Sequence, residues 1–330
     1  ILIARGENGA VRAFFNVCSH RGAQIMPEGR GSSHRLTCPY HAWSYNHDGE
    51  LIGVFAERDF GEVDRTCYSL RSLPCLERAG LIWVHLDPNP SLSIDDFLCG
   101  YDQMLQGFGF EGWHHFDSQM VEGPNWKIAY DGYLDIYHLP ILHKETFGSS
   151  FPHRANYYPF GPHQRVSGPN PSLLDYEQID EDEWPLDALM GGVWTIFPHI
   201  SIAGFDGGGG GVLLSQLFPG ATPSESVTIQ HYLLRNTPDE AASQGAAEQF
   251  KFLRYVVEQE DYATGIRQQV ALASGARKVV TFGKNESGGA RFHAWVDQLL
   301  ETSDSELASL FRAPVDPIAE MLDRTNEGES

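Results

Sequence analysis

"CSHRGAQIMPEGRGSSHRLTCPYHAW" occupies residues 18–43 and contains two short loops, each with one cysteine and one histidine. Cys18 and His20 stand in the first loop, Cys38 and His41 in the second, with 17 residues between the loops. Arg21-Gly22 follows the first pair and Trp43 the second. Thiolate and imidazole donors grouped this closely point to a bound metal. Structural zinc more often takes two cysteines from one knuckle and two histidines from elsewhere. Here each loop supplies one of each, so a zinc knuckle is the weaker reading of the pattern.

Working outward, residues 1–86 are rich in β-branched and aromatic runs broken by Gly, Asn and Asp, and read as a small all-β domain. "ENG" at residues 7–9 and Asp48-Gly49 are hairpin turns in this reading. The chain opens on Ile1, already in strand-like alternation, which predicts that the natural N-terminus is missing. "DPNPS" at residues 87–91 marks a boundary, because two prolines in five residues resist helix and strand alike.

Residues 87–330 mix both element types, giving a second, α+β domain. "VWTIFPHISIAGF", "GVLLSQLFP" and "SVTIQHYLLR" read as strands, and the glycine run 207–211 as a loop between two of them. A long helix follows, with Thr237 as N-cap, Pro238 at the first position and Glu240 closing a capping box. It runs to Ala273 with a weak point at Gly245.

Composition narrows the function. The formal charge of −21, with no block of Lys or Arg, argues against nucleic acid and anionic membrane as partners. Five cysteines do not form a secreted disulfide framework, and Cys67, Cys75 and Cys99 read as buried thiols. With no apolar run of transmembrane length and no signal peptide, the chain reads as a soluble cytoplasmic protein.

A second constellation lies in "NWKIAYDGYLDIYHLPILH", residues 125–143. His138 and His143 are five apart, which on a regular helix at ~100° per residue sets them about 140° from each other. Pro140 between them favours a kink or break that brings both to one metal. Asp135 precedes His138 by three, on the same helical face in this reading, where it can hydrogen-bond or bridge to another group. Two histidines need a carboxylate to complete a mononuclear non-haem iron site. The long helix offers Glu258, Glu260 and Asp261. Counting from Phe250 at ~100° per residue, Val257 lies at about 340°, Asp261 about 20°, Glu258 about 80° and Glu260 about 280°. An acid centred on an apolar stripe is costly unless it is paired or binds metal, which selects Asp261.

One Cys and one His per loop suit a Rieske [2Fe–2S] centre, in which two thiolates hold one iron and two imidazoles the other. "CSHRG…CPYHAW" resembles the Rieske signature CxHxG/RG…CxxHxW, with Ala42 where Gly is more usual. "NWK…DxYHxxxxH" resembles the catalytic domain of Rieske non-haem iron oxygenase α subunits, the aromatic ring-hydroxylating dioxygenase family. "FGKNESGGARFHAWVDQLL" resembles a C-terminal stretch of the same subunits, in which His293 takes a structural role.

The resemblance implies an all-β Rieske domain followed by a helix-grip (START-like) catalytic domain with an antiparallel sheet. It implies a [2Fe–2S] cluster on Cys18, His20, Cys38 and His41, and Fe(II) on His138, His143 and Asp261. Asp135 becomes the electron-transfer bridge to a cluster on the neighbouring subunit of a homotrimer, with or without a β subunit. No GxGxxG opens a helix, so NAD(P)H oxidation falls to a separate reductase, alone or with a ferredoxin. The implied reaction activates O2 and hydroxylates an aromatic or other hydrophobic substrate. The alternative is a monooxygenase or demethylase acting on a methyl ether or quaternary amine. Phe147, Trp194, Phe197, Phe205 and Phe282 are candidate pocket aromatics; an apolar pocket favours an arene, an aromatic cage a quaternary amine.

Overall fold

Strands β1 (Leu2–Arg5) and β2 (Val11–Phe14) pair antiparallel across the Glu7-Asn8-Gly9 turn. Gly9 sits there at φ +78°, and the Gly6 N–H reaches the Ala10 carbonyl at 2.9 Å. Strands β3 (Leu36–Thr37), β4 (Ser44–Tyr45) and β5 (Leu51–Gly53) form a second small sheet. Its β4–β5 turn contains Gly49 at φ +85°, as the Asp-Gly signal predicts. Strand β6 (Ser72–Leu73) extends the first sheet, and β7 (Cys75–Arg78) pairs with β8 (Leu81–Val84). Phe14, Ile25, Trp43, Tyr45, Leu51 and Leu70 pack into one core that also takes in Cys18 and Cys38.

These elements belong to the first of two contact units, Ile1–Phe97 and Leu98–Ser330. The computed structural model describes residues 1–149, 151, 153–168, 175–184, 191–204 and 210–319.

The expectation of buried thiols outside the cluster loops is corrected. Cys67 is exposed, on a surface 3₁₀ turn where its thiol donates to Asp64 at 3.4 Å. Cys75 and Cys99 are half-buried.

The second unit is built on a seven-stranded antiparallel sheet. Its strands are β9 (His114–Gly123), β10 (Asn156–Phe160), β11 (His163–Ser167), β12 (Gly192–Ile196), β13 (Ile200–Gly204), β14 (Gly211–Pro219) and β15 (Ser226–Leu234). The order is β10-β11-β12-β13-β14-β15-β9. "VWTIFPHISIAGF" is thus two strands, β12 and β13, turning over Phe197–His199, where Pro198 has no N–H to give a ladder. Phe205 and Gly207–Gly209 lie outside the described residues, and Gly211 already pairs within β14.

Helices α1 (Ile94–Leu98), α2 (Tyr101–Gln106), α3 (Trp126–Asp131) and α4 (Leu139–Leu142) precede the long helical segment. That segment comprises α5 (Glu240–Val256), a wide π turn (Val257–Tyr262) and α6 (Ala263–Ala273); α7 (Ser287–Glu301) and α8 (Leu307–Phe311) follow. Its end at Ala273 is as read, but its start is corrected. Asp239 is the N-cap, accepting from the Ala242 N–H at 2.8 Å, so Glu240 opens the helix instead of closing a capping box from Thr237. Gly245 is exposed within an unbroken α5, and the irregularity falls at the π turn instead.

Apolar faces place the helices. Ala246, Phe250 and Leu253 of α5 pack on Leu213, Tyr232 and Leu234 of the sheet, with the Phe250 and Tyr232 rings stacked at 5.4 Å. The π turn joins α3 and α7 over Val121 and Leu217, through Ala129, Tyr130, Val257, Tyr262 and Phe292. Burying these stripes is what holds the histidine-bearing loop after α3 against the sheet. Among the described residues no helix is long and apolar enough to cross a membrane.

Candidate metal centres

His138 and His143 do not share a helix. The chain leaves α3 at Asp131 and runs irregularly to His138, which caps the one-turn α4; His143 is its C-cap. Pro140 therefore sits in the first turn of a new helix, where a missing N–H costs nothing, rather than kinking an old one. Asp135 lies in the irregular stretch, not on a helical face. Its Oδ1 accepts from both the His138 backbone N–H (3.2 Å) and Nδ1–H (2.9 Å).

The two imidazole rings are 5.1 Å apart between centroids. Asp261 faces both: its Oδ1 is 3.2 Å from His143 Nε2 and 3.7 Å from His138 Nε2. Two ligands at ~2.1 Å from one metal and at right angles stand ~3 Å apart, so these spacings suit one ion. Among the described residues, His138, His143 and Asp261 are the one group of three whose ligand atoms all lie within 4.8 Å.

Sequence reasoning weighed Glu260 only as an alternative iron ligand and missed its bond to His143. Its Oε2 accepts from His143 Nδ1 at 2.7 Å and from the Thr146 hydroxyl at 2.8 Å. The helical wheel assumed ~100° per residue throughout, whereas a π turn rotates less per residue and brings neighbours to one side. Glu258 is drawn off by Arg254 at 3.3 Å.

The hydrogen bonds assign both tautomers. Asp135 and Glu260 each hold an Nδ1–H, leaving each Nε2 lone pair directed toward Asp261. Burial alone would lower the pKa of His143, but Asp261 and Glu260 outweigh it and raise it. Burial likewise works to raise the Asp135 carboxyl, yet its bonds to His138 carry it below the ordinary value. Three carboxylates around two imidazoles make a site that favours added positive charge. Replacing Glu260 by Ala is expected to weaken metal binding about 10–100-fold, read by titrating the metal-depleted protein with Fe(II).

Of the other sequence candidates, Phe147 stands beside His143, rings 5.3 Å apart. Trp194 is fully buried against Phe108 and under Arg165, Phe197 packs on Phe292, and Phe282 on His293. His293 donates to Asp131, whose carboxyl burial pushes up, and so ties α7 to the end of α3. Gly288 permits that approach: a Cβ there would meet the Leu134 carbonyl at 2.5 Å.

In the first unit the two cysteine loops repeat one backbone device. The Gly22 N–H returns to the Cys18 carbonyl (2.9 Å), and the Ala42 N–H to the Cys38 carbonyl (3.0 Å). Both fourth residues are left-handed, Gly22 at φ +75° and Ala42 at φ +55°. Alanine is strained at position 42, since a Cβ is disfavoured in that region. Ala42→Gly is expected to raise unfolding stability by about 1 kcal/mol, measured by denaturant titration.

The donor set in these loops fits a two-iron cluster. Cys18 and Cys38 are buried, the His20 and His41 rings lie 4.7 Å apart, and His20 stacks on Trp43 at 4.8 Å. The His20 Nδ1 is buried with no partner, and burial first, then His41 and Arg21, lowers its pKa, favouring the neutral imidazole a metal needs. The Tyr45 hydroxyl meets Cys18 Sγ at 3.3 Å; burial and that contact push its pKa to about 12, keeping it a donor.

Comparison with known proteins finds a matching domain model for each of the two parts of the chain. A model of the Rieske [2Fe-2S] domain matches residues 1–73, and a model of the ring-hydroxylating α subunit catalytic domain matches residues 110–302. Such domains imply a [2Fe–2S] cluster and a mononuclear iron. The glycine betaine monooxygenase oxygenase subunit of Chromohalobacter salexigens is 34% identical over 151 residues, covering 45% of this chain and 33% of that relative. The anthranilate 1,2-dioxygenase large subunit of Acinetobacter baylyi is 27% identical over 195 residues, covering 54% and 38%. The matched segments therefore span about a third of these curated relatives. Among solved structures, the quaternary ammonium Rieske monooxygenase CntA superposes with TM-score 0.74 at 22% identity, covering 90% of this chain and 80% of that one. Naphthalene 1,2-dioxygenase from Rhodococcus sp. gives 0.68 at 18% identity, covering 91% and 84%. With its catalytic-domain model matching more than half of the sequence behind a matched Rieske domain, the chain belongs to the ring-hydroxylating α-subunit family.

Proposed function

We propose that this chain is the oxygenase component of a Rieske-type, two-metal oxygenase that hydroxylates a small organic substrate with O2. The observation that carries the reading is the convergence of His138, His143 and Asp261 on one point, each imidazole oriented by its own carboxylate. His138, His143 and Asp261 hold Fe(II); Cys18, Cys38, His20 and His41 hold the cluster. When bound, the iron supplies dioxygen activation and the cluster supplies electrons. The protein's part is to keep both Nε2 atoms deprotonated and aimed, with each Nδ1–H donating to Asp135 or Glu260. Asp135 is the bridge by which electrons reach the iron site from a neighbouring subunit of a trimer. A reductase, alone or with a ferredoxin, draws those electrons from NAD(P)H in the cytoplasm.

The main reading is ring hydroxylation of an aromatic or other hydrophobic substrate. A second reading, monooxygenation of a quaternary amine, is favoured by Phe147, which stands beside His143 and itself meets the Phe151 and Phe252 rings, since aromatic faces attract such cations. The test supplies reductase, ferredoxin and NADH with ¹⁸O2, and follows oxygen uptake and product mass. Two labelled oxygens support dioxygenation and one supports the second reading. Uptake indifferent to every aromatic and quaternary-amine substrate tried sinks the oxygenase assignment.

A further inference from the structure

The sheet carries a polar row where its helix-covered face should be apolar. Cross-strand partners run Gln164–Thr195–Ser201–Ser215–Gln230–Gln119 through six adjacent strands. Residues directly opposite one another project from the same face, so all six share it. The five from Gln164 to Gln230 are at most 2% exposed. Above and below the row the same face is apolar, with Leu213 and Leu217 packed under the helices.

The ends of the row are accounted for except at Gln164 Oε1, which is buried without a partner. Gln164 Nε2 donates to the Gly288 carbonyl, Thr195 to the Gln164 carbonyl, and Gln119 Nε2 to Gln230 Oε1. The middle is not: Ser201 Oγ, Ser215 Oγ and Gln230 Nε2 are buried without partners. Over them, from the loop that carries Asp135 and His138, comes the Tyr133 hydroxyl. It is buried and faces Ser215, Gln230 and Tyr262 without closing a well-formed hydrogen bond to any of them. Tyr133 is also close enough to Asp261 to feel its charge.

Unpartnered buried donors are costly, and a native fold keeps them where something else completes them. We propose that Tyr133, Ser215 and Gln230 form a hydrogen-bonding seat beside the iron ligands, which selects substrates bearing an acceptor oxygen: a hydroxyl or a carboxylate. This rests on the oxygenase reading and narrows it, because a plain hydrocarbon would leave every one of these donors unmet. A site built to bond an oxygen discriminates against the analogue lacking it. The selectivity comes from the sheet floor, whereas the aromatic rings beside His143 set only the shape and charge of the remainder.

The test is equilibrium binding, so it stands apart from turnover. Iron-loaded protein is titrated calorimetrically with two matched series: benzyl alcohol and benzoate against toluene, and choline and glycine betaine against propyltrimethylammonium. In at least one series the oxygen-bearing members bind about 10-fold or more tighter than the analogue lacking the oxygen. Hydroxyl or carboxylate preference within that series identifies the oxygen. Tyr133→Phe with Ser215→Ala reduces the gap to parity by weakening only the oxygen-bearing ligands. Because neither hydroxyl closes a well-formed hydrogen bond in the fold, the same variants keep their melting temperature, cluster spectrum and iron content. Equal binding within both series, a gap that survives the double variant, no binding in either series, or a lowered melting temperature overturns the proposal. Failure of oxygen uptake alongside an intact binding preference strikes the oxygenase reading and leaves the seat standing.

Discussion

Asp261→Ala should cost the protein its mononuclear iron and its turnover while leaving the Rieske cluster in place. Iron content is expected to fall from about three to about two atoms per chain, with the reduced cluster's EPR signal unchanged. The size of the effect follows from the geometry. Among the described residues, Asp261 is the acid whose carboxylate lies within 4 Å of both His138 Nε2 and His143 Nε2. Two neutral imidazoles without their carboxylate form a weak, open site for a hard cation. Glu260 cannot readily substitute, because its Oε2 is engaged by His143 Nδ1 and Thr146. Glu258 is turned toward Arg254. Full iron retention in Asp261→Ala would show that Glu260 swings in as ligand, and Glu260→Ala in the same background would then remove the metal.

How much of this was legible in the residues depends on the range of the interaction. The cluster loops are local, four ligands on two turns, and their spacing alone carries them. The α+β architecture and three of the catalytic strand segments followed from β-branched runs. Strand β9 did not, since "HHFDSQMVEG" shows no clean alternation. In β15 the alternation points the wrong way. Val227 and Ile229 suggest an inward apolar face, yet the strand buries Ser226, Thr228, Gln230 and Tyr232. A local rule broken in this manner marks a place where the site, not the core, dictates the residue. The bond of Glu260 to His143 was hidden for a related reason. A wheel at constant pitch cannot foresee a π turn, which is set by packing of Val257 and Tyr262 against the sheet and α3. The pairing of Asp135 with His138 was anticipated, but through a helix that does not exist. The contact arises instead because the Asp135 side chain binds both the backbone and the ring of His138.

That double bond is the reason to expect the other large effect, from Asp135→Asn. The substitution keeps size and one acceptor oxygen, so the His138 backbone contact survives and iron stays bound. What it removes is the negative charge on the His138 Nδ1–H. The depressed pKa of Asp135, won against burial by its bonds to His138, means that the carboxylate is ionised across the neutral range. The amide oxygen can still accept from Nδ1–H, so the tautomer and the Nε2 lone pair are kept while the charge behind the ring is lost. An electron route through this residue would lose that charge. Turnover is therefore expected to drop about 100-fold or more. Iron content and the cluster's EPR signal should hold at wild-type levels, which separates this role from a structural one. Single-turnover experiments locate the defect: chemically reduced protein should still bind substrate, while oxidation of its cluster upon adding O2 slows in step with turnover. A wild-type rate in Asp135→Asn, with metals intact, would remove Asp135 from the electron route and leave it only the task of shaping the loop before His138.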